Sequence, residues 1–319
     1  PQRLVIKSDN NFPTAAGLAS SASGMASLAY GLSLFYGLND GAASLARRGS
    51  GSACRSMFGG FVHWKTPKPT DNSTVVQLHP HTHWPELRVL ICVINVDKKT
   101  VGSTVAMRTT MQSSCLFREA RKTAVAERLP LFIKALQRCD FSALAELTMR
   151  ESNALHAACL DSWPPAIFLN ETSFAVMQFV HIVNQHCGRT VLAYTFDAGP
   201  NAFLLVLKDD VAWVLALLTA RFGDKKLGNR TELNISPRQP DGDDLRVAKL
   251  RRVEQHLSTE STTTTTVGHT LEIRGLQYPT VQLSSKEDEV STYLCCFSTL
   301  LLYLGDLSPV FHWASIGRL

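Results

Sequence analysis

Asp197 stands where a carboxylate could do acid–base chemistry. It follows an apolar stretch and precedes Gly199, so its side chain is expected at the tip of a strand, beside a loop that a ligand can reach. A carboxylate partly withdrawn from water there can accept a proton from a hydroxyl group during phosphoryl transfer. The segment 197–201 is also a good turn sequence, and turn formation alone is the alternative reading.

Arg55 is the second chemical candidate, because it stands in a predicted loop of small residues, 49–56, that includes Ser50 and Ser52. A guanidinium among small side chains can offer a planar fork to a carboxylate or a phosphate. The two hydroxyls could bind the same ligand, or could cap a helix instead. An ordinary surface or ion-paired arginine is the alternative for Arg55.

Residues 10–24 form a third candidate, a loop of small residues that leads into a helix. Pro13 presets φ, and Gly17 can adopt conformations closed to other residues. The first amides of a helix lack intrahelical partners and the helix dipole is positive there, so we predict a phosphate cradle. The loop has no lysine, which excludes a Walker A motif. The alternative is a plain loop before a core helix.

The helix after this loop has apolar residues at helical spacing, which predicts one buried face: Leu18, Met25, Leu28, Leu32 and Phe35. Further along, alternation and apolar runs predict strands at 61–64, 75–78, 87–96, 190–196 and 202–207. Helical spacing predicts helices at 125–136, 141–159, about 173–186 and 211–218. Strands and helices mixed without strict alternation predict an α+β fold, with a boundary near residue 90.

Composition narrows the class of protein. The chain has 319 residues, 45% of them hydrophobic, which is enough for two packed units. Its formal charge is only +5, without a basic block interleaved with aromatic residues, so we predict small anionic ligands and no nucleic acid. Eight scattered cysteines without a C-x-x-C pair favour a reducing, cytosolic setting. No run of apolar residues reaches membrane-helix length, so no membrane contact is expected.

The two ends of the chain and its histidines say less about function than the segments above. The chain opens on Pro1 in what looks like the middle of a strand, so we expect a fragment. Residues 229–245 and 258–266 lack periodicity and are predicted to be disordered. No His-x-x-x-His pair lies on a predicted helix, and His79, His81 and His83 are expected to be solvated rather than to bind a metal.

Three stretches occur in an order that points to one family. Residues 11–22 have the form Pro-x-x-x-Gly-Leu-x-Ser-Ser-Ala, and residues 47–62 and 193–201 supply two more signatures, with 83–87 also fitting. Together they resemble the mevalonate diphosphate decarboxylases, a family within the GHMP small-molecule kinases. The similarity runs from about residue 5 to residue 222.

This resemblance implies a GHMP kinase-like two-domain fold. Its N-terminal part would be ribosomal protein S5 domain 2-like, here incomplete, and its C-terminal domain ferredoxin-like α/β. We expect residues 1–85 to be the remainder of the ATP-binding domain, 86–222 the substrate domain and 223–319 a divergent, largely disordered tail. The family's earlier N-terminal portion and its C-terminal portion beyond Phe222 are expected to be absent.

The resemblance also implies an ATP- and Mg²⁺-dependent reaction that converts mevalonate 5-diphosphate into isopentenyl diphosphate in the mevalonate pathway. Asp197 would act on the 3-hydroxyl, Arg55 would hold the substrate carboxylate, and Ser21 would contact phosphate and orient the substrate. Ser50 and Ser52 would bind the substrate diphosphate. The residues expected to line the ATP phosphates are Pro13, Ala16, Gly17, Leu18, Ala19, Ser20 and Ser21. A cytosolic homodimer is expected, and two alternatives stay open: a kinase without decarboxylation, and an inactive fragment that retains nucleotide binding.

Overall fold

The computed structural model describes residue 6 and residues 19–38, 41–65, 75–94, 102–222 and 272–274. The helices among them are α1 (Ser20–Phe35), α2 (Ala42–Gly49), a 3-10 helix (Gly51–Met57), α3 (Ser103–Ser113), a π-helical turn (Leu116–Arg121), α4 (Lys122–Gln137), α5 (Phe141–Leu160), α6 (Glu171–Cys187) and α7 (Val211–Phe222). The strands are β1 (Phe61–Trp64), β2 (Val75–His79), β3 (Leu87–Val93), β4 (Leu192–Phe196), β5 (Ala202–Leu207) and β6 (Glu272–Arg274). Over these ranges, no helix has the length and apolar character needed to cross a bilayer.

The strands form two antiparallel sheets. β1 pairs with β2, and the larger sheet has the order β4-β5-β3-β6. In the larger sheet Leu87 lies opposite Leu207 and Phe196 lies opposite Ala202. Among the described strands β4 is therefore at the edge of this sheet, and the outer backbone groups of Leu192 and Phe196 contact side chains of α6 and α5. The mixture of helices and antiparallel strands confirms the predicted α+β class.

The larger sheet is buried on both faces because alternate side chains serve different layers. Leu192, Tyr194 and Phe196 of β4 belong to a core shared with α6 and α7. Ala193 of β4 belongs instead to a core shared with α4, α5 and the β1–β2 hairpin. This second core includes Phe61, so the hairpin and the larger sheet are joined by continuous apolar packing.

The face of α1 that is buried differs from the predicted one. Its buried residues are small, namely Ala22, Ala26, Ala29 and Ser33. Met25 and Phe35, which were predicted to be buried, are exposed. The small side chains pack with Ala46 of α2 and Ala53 of the 3-10 helix. The prediction failed because it ranked side chains by apolar size, whereas helices that approach closely require small side chains at the contact.

The other predicted elements are found with small shifts of their ends, but short helices were missed. Residues 49–56, predicted to be a loop, instead contain the end of α2 and most of the 3-10 helix. α2 and α3 were not predicted, because α2 is short and α3 is rich in serine and threonine, which favour helices weakly. β6 lies in the tail, where no strand was predicted, and pairs with β3. The regions predicted to be disordered, 229–245 and 258–266, lie outside the described residues.

Candidate active site

The start of α1 contacts the α2–3-10 connection through two predicted ligand residues. The hydroxyl oxygens of Ser21 and Ser50 are 3.4 Å apart. Ala19, at the N-cap, has φ 57° in the left-handed region, where a non-glycine residue costs about 1 kcal/mol. The first turn of α1 carries no acidic side chain. The structure therefore brings two hydroxyls together beside a helix N-terminus that suits an anion.

Arg55 is buried and held against an aromatic ring. It lies in the 3-10 helix, is only 1% exposed, and its guanidinium carbon is 5.0 Å from the centre of the Trp64 ring. Arg47 approaches the same ring at 5.9 Å. Both distances fit cation–π attraction, which fixes the plane and the position of the guanidinium. Burial excludes the surface-arginine alternative, and Trp64 was predicted as part of β1 but not as a site residue.

The 3-10 helix that carries Ser52 and Arg55 also carries the neutral thiol of Cys54. Cys54 is fully buried next to Arg55, and its Sγ donates a hydrogen bond to the carbonyl oxygen of Gly51 at 3.1 Å. Burial raises the pKa of the Cys54 thiol, although the charge of Arg55 acts in the opposite direction. Cys54 therefore packs as an apolar group and adds no negative charge beside Arg55. Ser52, in the same 3-10 helix, is half-buried.

Asp197 directly follows β4 and is half-buried. Its carbonyl oxygen accepts a hydrogen bond from the amide of Gly199 at 2.8 Å, so the tight turn named as the alternative does form. A turn at this place does not compete with chemistry, because it sets the direction in which the carboxylate leaves the end of the strand. The turn is therefore confirmed, and the acid–base role of Asp197 stays a prediction.

Several contacts with other segments hold the turn at residues 197–201 in place. The Ser173 hydroxyl donates to the carbonyl oxygen of Pro200 at 2.9 Å, and the Asn201 side chain accepts from the amide of Ile94 at 2.7 Å. Ala198 is buried in a small core with Phe168 and residues of α3 and α5. Ser173 also completes the capping box at the start of α6, so helix capping and turn anchoring share one residue. Loop residues held this way can place a functional group reproducibly.

The residue before Asp197 is held by α5. The Phe196 amide donates to the Ser152 hydroxyl oxygen at 3.2 Å, and His156 Nε2 lies 3.4 Å from the Phe196 carbonyl oxygen. Sequence reasoning missed Ser152, His156 and Ser173. Only the capping pattern at 170–173 offered a local signal, since the other contacts join residues far apart in the chain.

The predicted site residues fall into two groups on one continuous core. Ser21, Ser50, Ser52 and Arg55 share the unit of α1, α2 and the 3-10 helix, while Asp197 lies at the end of β4. Cys54, beside Arg55, belongs to the same buried cluster as Ala193 of β4, so packing connects the two groups. Ala19 and Ser20 lie at the start of α1. Four residues of the predicted ATP loop lie outside the described part of the chain: Pro13, Ala16, Gly17 and Leu18.

His79 and His83 are partly buried and packed on each other, which corrects the prediction that all three histidines of residues 79–83 are solvated. The rings of His79 and His83 are stacked with their centres 3.9 Å apart, and His83 Nε2 lies 3.0 Å from the carbonyl oxygen of Leu136. His81 is exposed. Burial, and then the charge of His83, lower the pKa of His79. In the described ranges, no group of three or more histidines, cysteines or acidic residues could hold a metal ion.

Comparison with protein families gives two matches that together cover most of the described chain. Residues 89–271 match the mevalonate 5-diphosphate decarboxylase C-terminal domain, and residues 1–75 match the diphosphomevalonate decarboxylase-like N-terminal domain. The first match continues past Phe222, where the resemblance was expected to end.

Comparison with individual proteins agrees with these two family matches. The chain is 49% identical over 232 residues to diphosphomevalonate decarboxylase of Rattus norvegicus, covering 70% of this chain and 58% of the relative. A solved mevalonate diphosphate decarboxylase from Trypanosoma brucei aligns over 83% of this chain and 71% of its own, with 33% identity and a TM-score of 0.65. A solved structure named as a complex with MVAPP, AMPPCP and magnesium aligns over 65% of this chain and 64% of its own, with 34% identity and a TM-score of 0.58. The chain thus spans 58% of the rat relative's length, and it belongs to the mevalonate diphosphate decarboxylase family.

Proposed function

We propose that this chain takes part in the ATP-dependent decarboxylation of mevalonate 5-diphosphate to isopentenyl diphosphate. Family membership supports this reaction, and the observation that carries it is the buried Arg55 guanidinium in the same packed unit as Ser21 and Ser50. A fixed planar cation beside paired hydroxyls suits a ligand that carries both a carboxylate and a diphosphate.

The substrate would be held through its two charged ends. Arg55, fixed on Trp64, would pair with the carboxylate, and Ser50 and Ser52 would donate to the diphosphate. Ser21 would contact phosphate and orient the substrate. Ala19, Ser20 and Ser21 at the start of α1, together with Pro13, Ala16, Gly17 and Leu18 before it, would line the ATP phosphates.

The chemistry would start at Asp197. Its carboxylate would take the proton from the tertiary 3-hydroxyl, whose oxygen would accept the γ-phosphoryl group of ATP. The C–O bond would then break and its electrons would leave with phosphate. The C–C bond to the carboxylate would break as well, its electrons would form the new double bond, and CO₂ would depart. Release of the carboxylate would remove the positive charge that develops on carbon.

Magnesium fits this donor set. Mg²⁺ is usually held by one or two carboxylates together with substrate phosphates, so a dedicated protein cage is not required. The hydroxyl of Ser21 is a hard oxygen donor of the required kind, and Asp197 stays assigned to the proton of the 3-hydroxyl. When bound, Mg²⁺ would neutralise the clustered phosphate charge.

We further propose that the protein acts in the cytosol as a homodimer. The cysteines of the described ranges are free, which suits a reducing compartment: Cys54, Cys92, Cys115, Cys139, Cys159 and Cys187. The dimer is proposed from the family resemblance alone, and light scattering of the purified chain would test it.

The reaction is tested by product analysis. The full chain is incubated with ATP, Mg²⁺ and carboxyl-labelled mevalonate 5-diphosphate, and we expect ADP, labelled CO₂ and isopentenyl diphosphate in equal amounts. ADP without CO₂ would indicate a kinase that does not decarboxylate. Nucleotide binding without any turnover would indicate that this chain retains only part of the family's activity.

A further inference from the structure

The outer edge of β4 is closed by side chains at both of its ends. At its start, the Asn184 side chain accepts from the Leu192 amide at 3.0 Å and donates to the Leu192 carbonyl oxygen at 2.8 Å. At its end, Ser152 and His156 contact the amide and the carbonyl oxygen of Phe196. An edge strand otherwise presents such groups without partners, so helices α5 and α6 supply them here.

Ser152 and His156 are suited to act together. They are four residues apart on α5, which places them on the same face of the helix. Both are buried, with 0% and 5% exposure. The Phe196 carbonyl oxygen can only accept, so His156 must carry its proton on Nε2 and donate it. Desolvation lowers the pKa of His156 to about 4, so the ring stays neutral and keeps that single proton near neutral pH.

The imidazole cannot easily turn away from this position. Its ring packs edge-to-face on Phe168 and on Phe196, with centre-to-centre distances of 6.2 Å in both cases. Phe168 also packs in the cluster that contains Ala198. The residues on both sides of Asp197 are therefore fixed by the same group of side chains.

We propose that Ser152 and His156 are positioning residues for Asp197. By holding both backbone polar groups of Phe196, they set the angle at which the chain leaves β4 and hence the direction of the Asp197 carboxylate. This inference rests on the proposed role of Asp197 in the reaction.

Kinetics of two truncations test the proposal, with a matched control at the other end of the strand. In Ser152→Ala and His156→Leu we expect kcat to fall by about tenfold to a hundredfold, with the KM for ATP nearly unchanged, since a small displacement of a catalytic group has effects of this size. His156→Gln keeps an N–H donor and should restore part of the loss. Asn184→Ala removes the equivalent contact at Leu192, and its kcat per folded molecule should stay within about twofold of the wild type.

The pH profile separates positioning from general loss of structure. If the carboxylate is displaced, the acid limb of the kcat profile should move in Ser152→Ala but not in Asn184→Ala. An unchanged limb and an unchanged kcat per folded molecule would overturn the proposal. Should Ser152→Ala fail to fold, Ser152→Cys retains a weak acceptor of similar size and should show the same displacement to a smaller extent.

Amide hydrogen exchange tests the contact without relying on turnover. In Ser152→Ala the Phe196 amide should exchange at least about tenfold faster, while the Leu192 amide keeps its protection. If the wild-type chain releases no CO₂, the proposed function fails, but the exchange data still decide whether Ser152 holds Phe196. Equal exchange at Phe196 in the variant and the wild type would overturn the inference even in an active enzyme.

Discussion

The two groups of site residues are held by opposite means. The unit that carries Ser21, Ser50 and Arg55 is packed on alanines, whose small side chains let α1, α2 and the 3-10 helix approach closely. The Asp197 turn lies on a sheet filled with large aliphatic and aromatic side chains, and hydrogen bonds from α5 and α6 secure it. The first unit should therefore tolerate added volume poorly, and the second should tolerate the loss of polar partners poorly.

The difference follows from what a phosphate-binding segment and a single catalytic carboxylate each require of the structure around them. Backbone amides and short hydroxyls can reach a phosphate only if nothing bulky stands nearby, so small residues suit that unit. A single carboxylate must point in one direction, which requires the chain on either side of it to be fixed.

The largest effect is expected at the carboxylate itself. Asp197→Asn should lower kcat by about a thousandfold, because the amide cannot take the proton of the 3-hydroxyl, while ATP still binds. Stopped assays of labelled CO₂ and a nucleotide-binding titration would measure the two properties. Asp209→Asn removes an exposed acid near the end of β5 and serves as control, with activity like the wild type. Full activity in Asp197→Asn would leave Asp197 a turn residue only.

Stability should depend on pH through His156. The fold disfavours its protonation and lowers its pKa from 6.5 to about 4, so between these values the unfolded chain binds more protons than the folded one. Stability is then complete above pH 6.5, falls as pH decreases through this window, and levels off near pH 4, for a total of about 3 kcal/mol.

Denaturant unfolding across this pH range would measure the slope, with His156→Gln as the matched variant. The variant should lose the part of the slope that belongs to His156. Parallel curves for the two proteins would show that the buried imidazole does not contribute, and would weaken the contrast drawn for the Asp197 turn.

Added volume in the alanine-packed unit should destabilise it. Ala26 is fully buried in the cluster that joins α1 to α2, so Ala26→Leu should lower the free energy of unfolding by about 2 kcal/mol through overpacking. Leu34→Ala, on the exposed side of the same helix, should change it by less than about 0.5 kcal/mol. Equal effects would mean that close helix approach is not what the alanines provide.

The smallest effect is expected for a buried hydroxyl that takes no part in the Phe196 contacts. Thr148 lies one turn before Ser152 on α5, and its hydroxyl has no hydrogen-bond partner within the described ranges. Thr148→Val should leave stability unchanged or raise it by less than about 1 kcal/mol, since removing an unsatisfied polar group relieves a desolvation cost. Thermal unfolding would measure this, and a marked loss would show that the hydroxyl has a partner after all.

The sequence predicts local features of the site better than contacts between distant residues. Arg55 and Asp197 could be chosen as candidates because each stands in a distinctive run of neighbours, and the contact between Ser21 and Ser50 joins two segments that were each predicted to bind a ligand. The Trp64 ring under Arg55 and the α5 contacts to Phe196 join residues that only the fold brings together. The alanine face of α1 was missed for another reason, because hydrophobic periodicity says nothing about how closely two helices approach.

The pairing of β3 with β5 has a consequence for how the chain folds. Leu87 lies opposite Leu207, and the described residues between these two strands include four α-helices, the π-helical turn and the strand β4. Contacts this distant in sequence close late, after the loop entropy of the intervening chain has been overcome. Until β5 emerges during synthesis, the apolar side chains of β3, including Ile91 and Val93, have no strand to cover them. We therefore expect a shortened version of this protein to avoid aggregation only if it contains both β3 and β5. During synthesis, chaperones should matter most before residue 207 has left the ribosome.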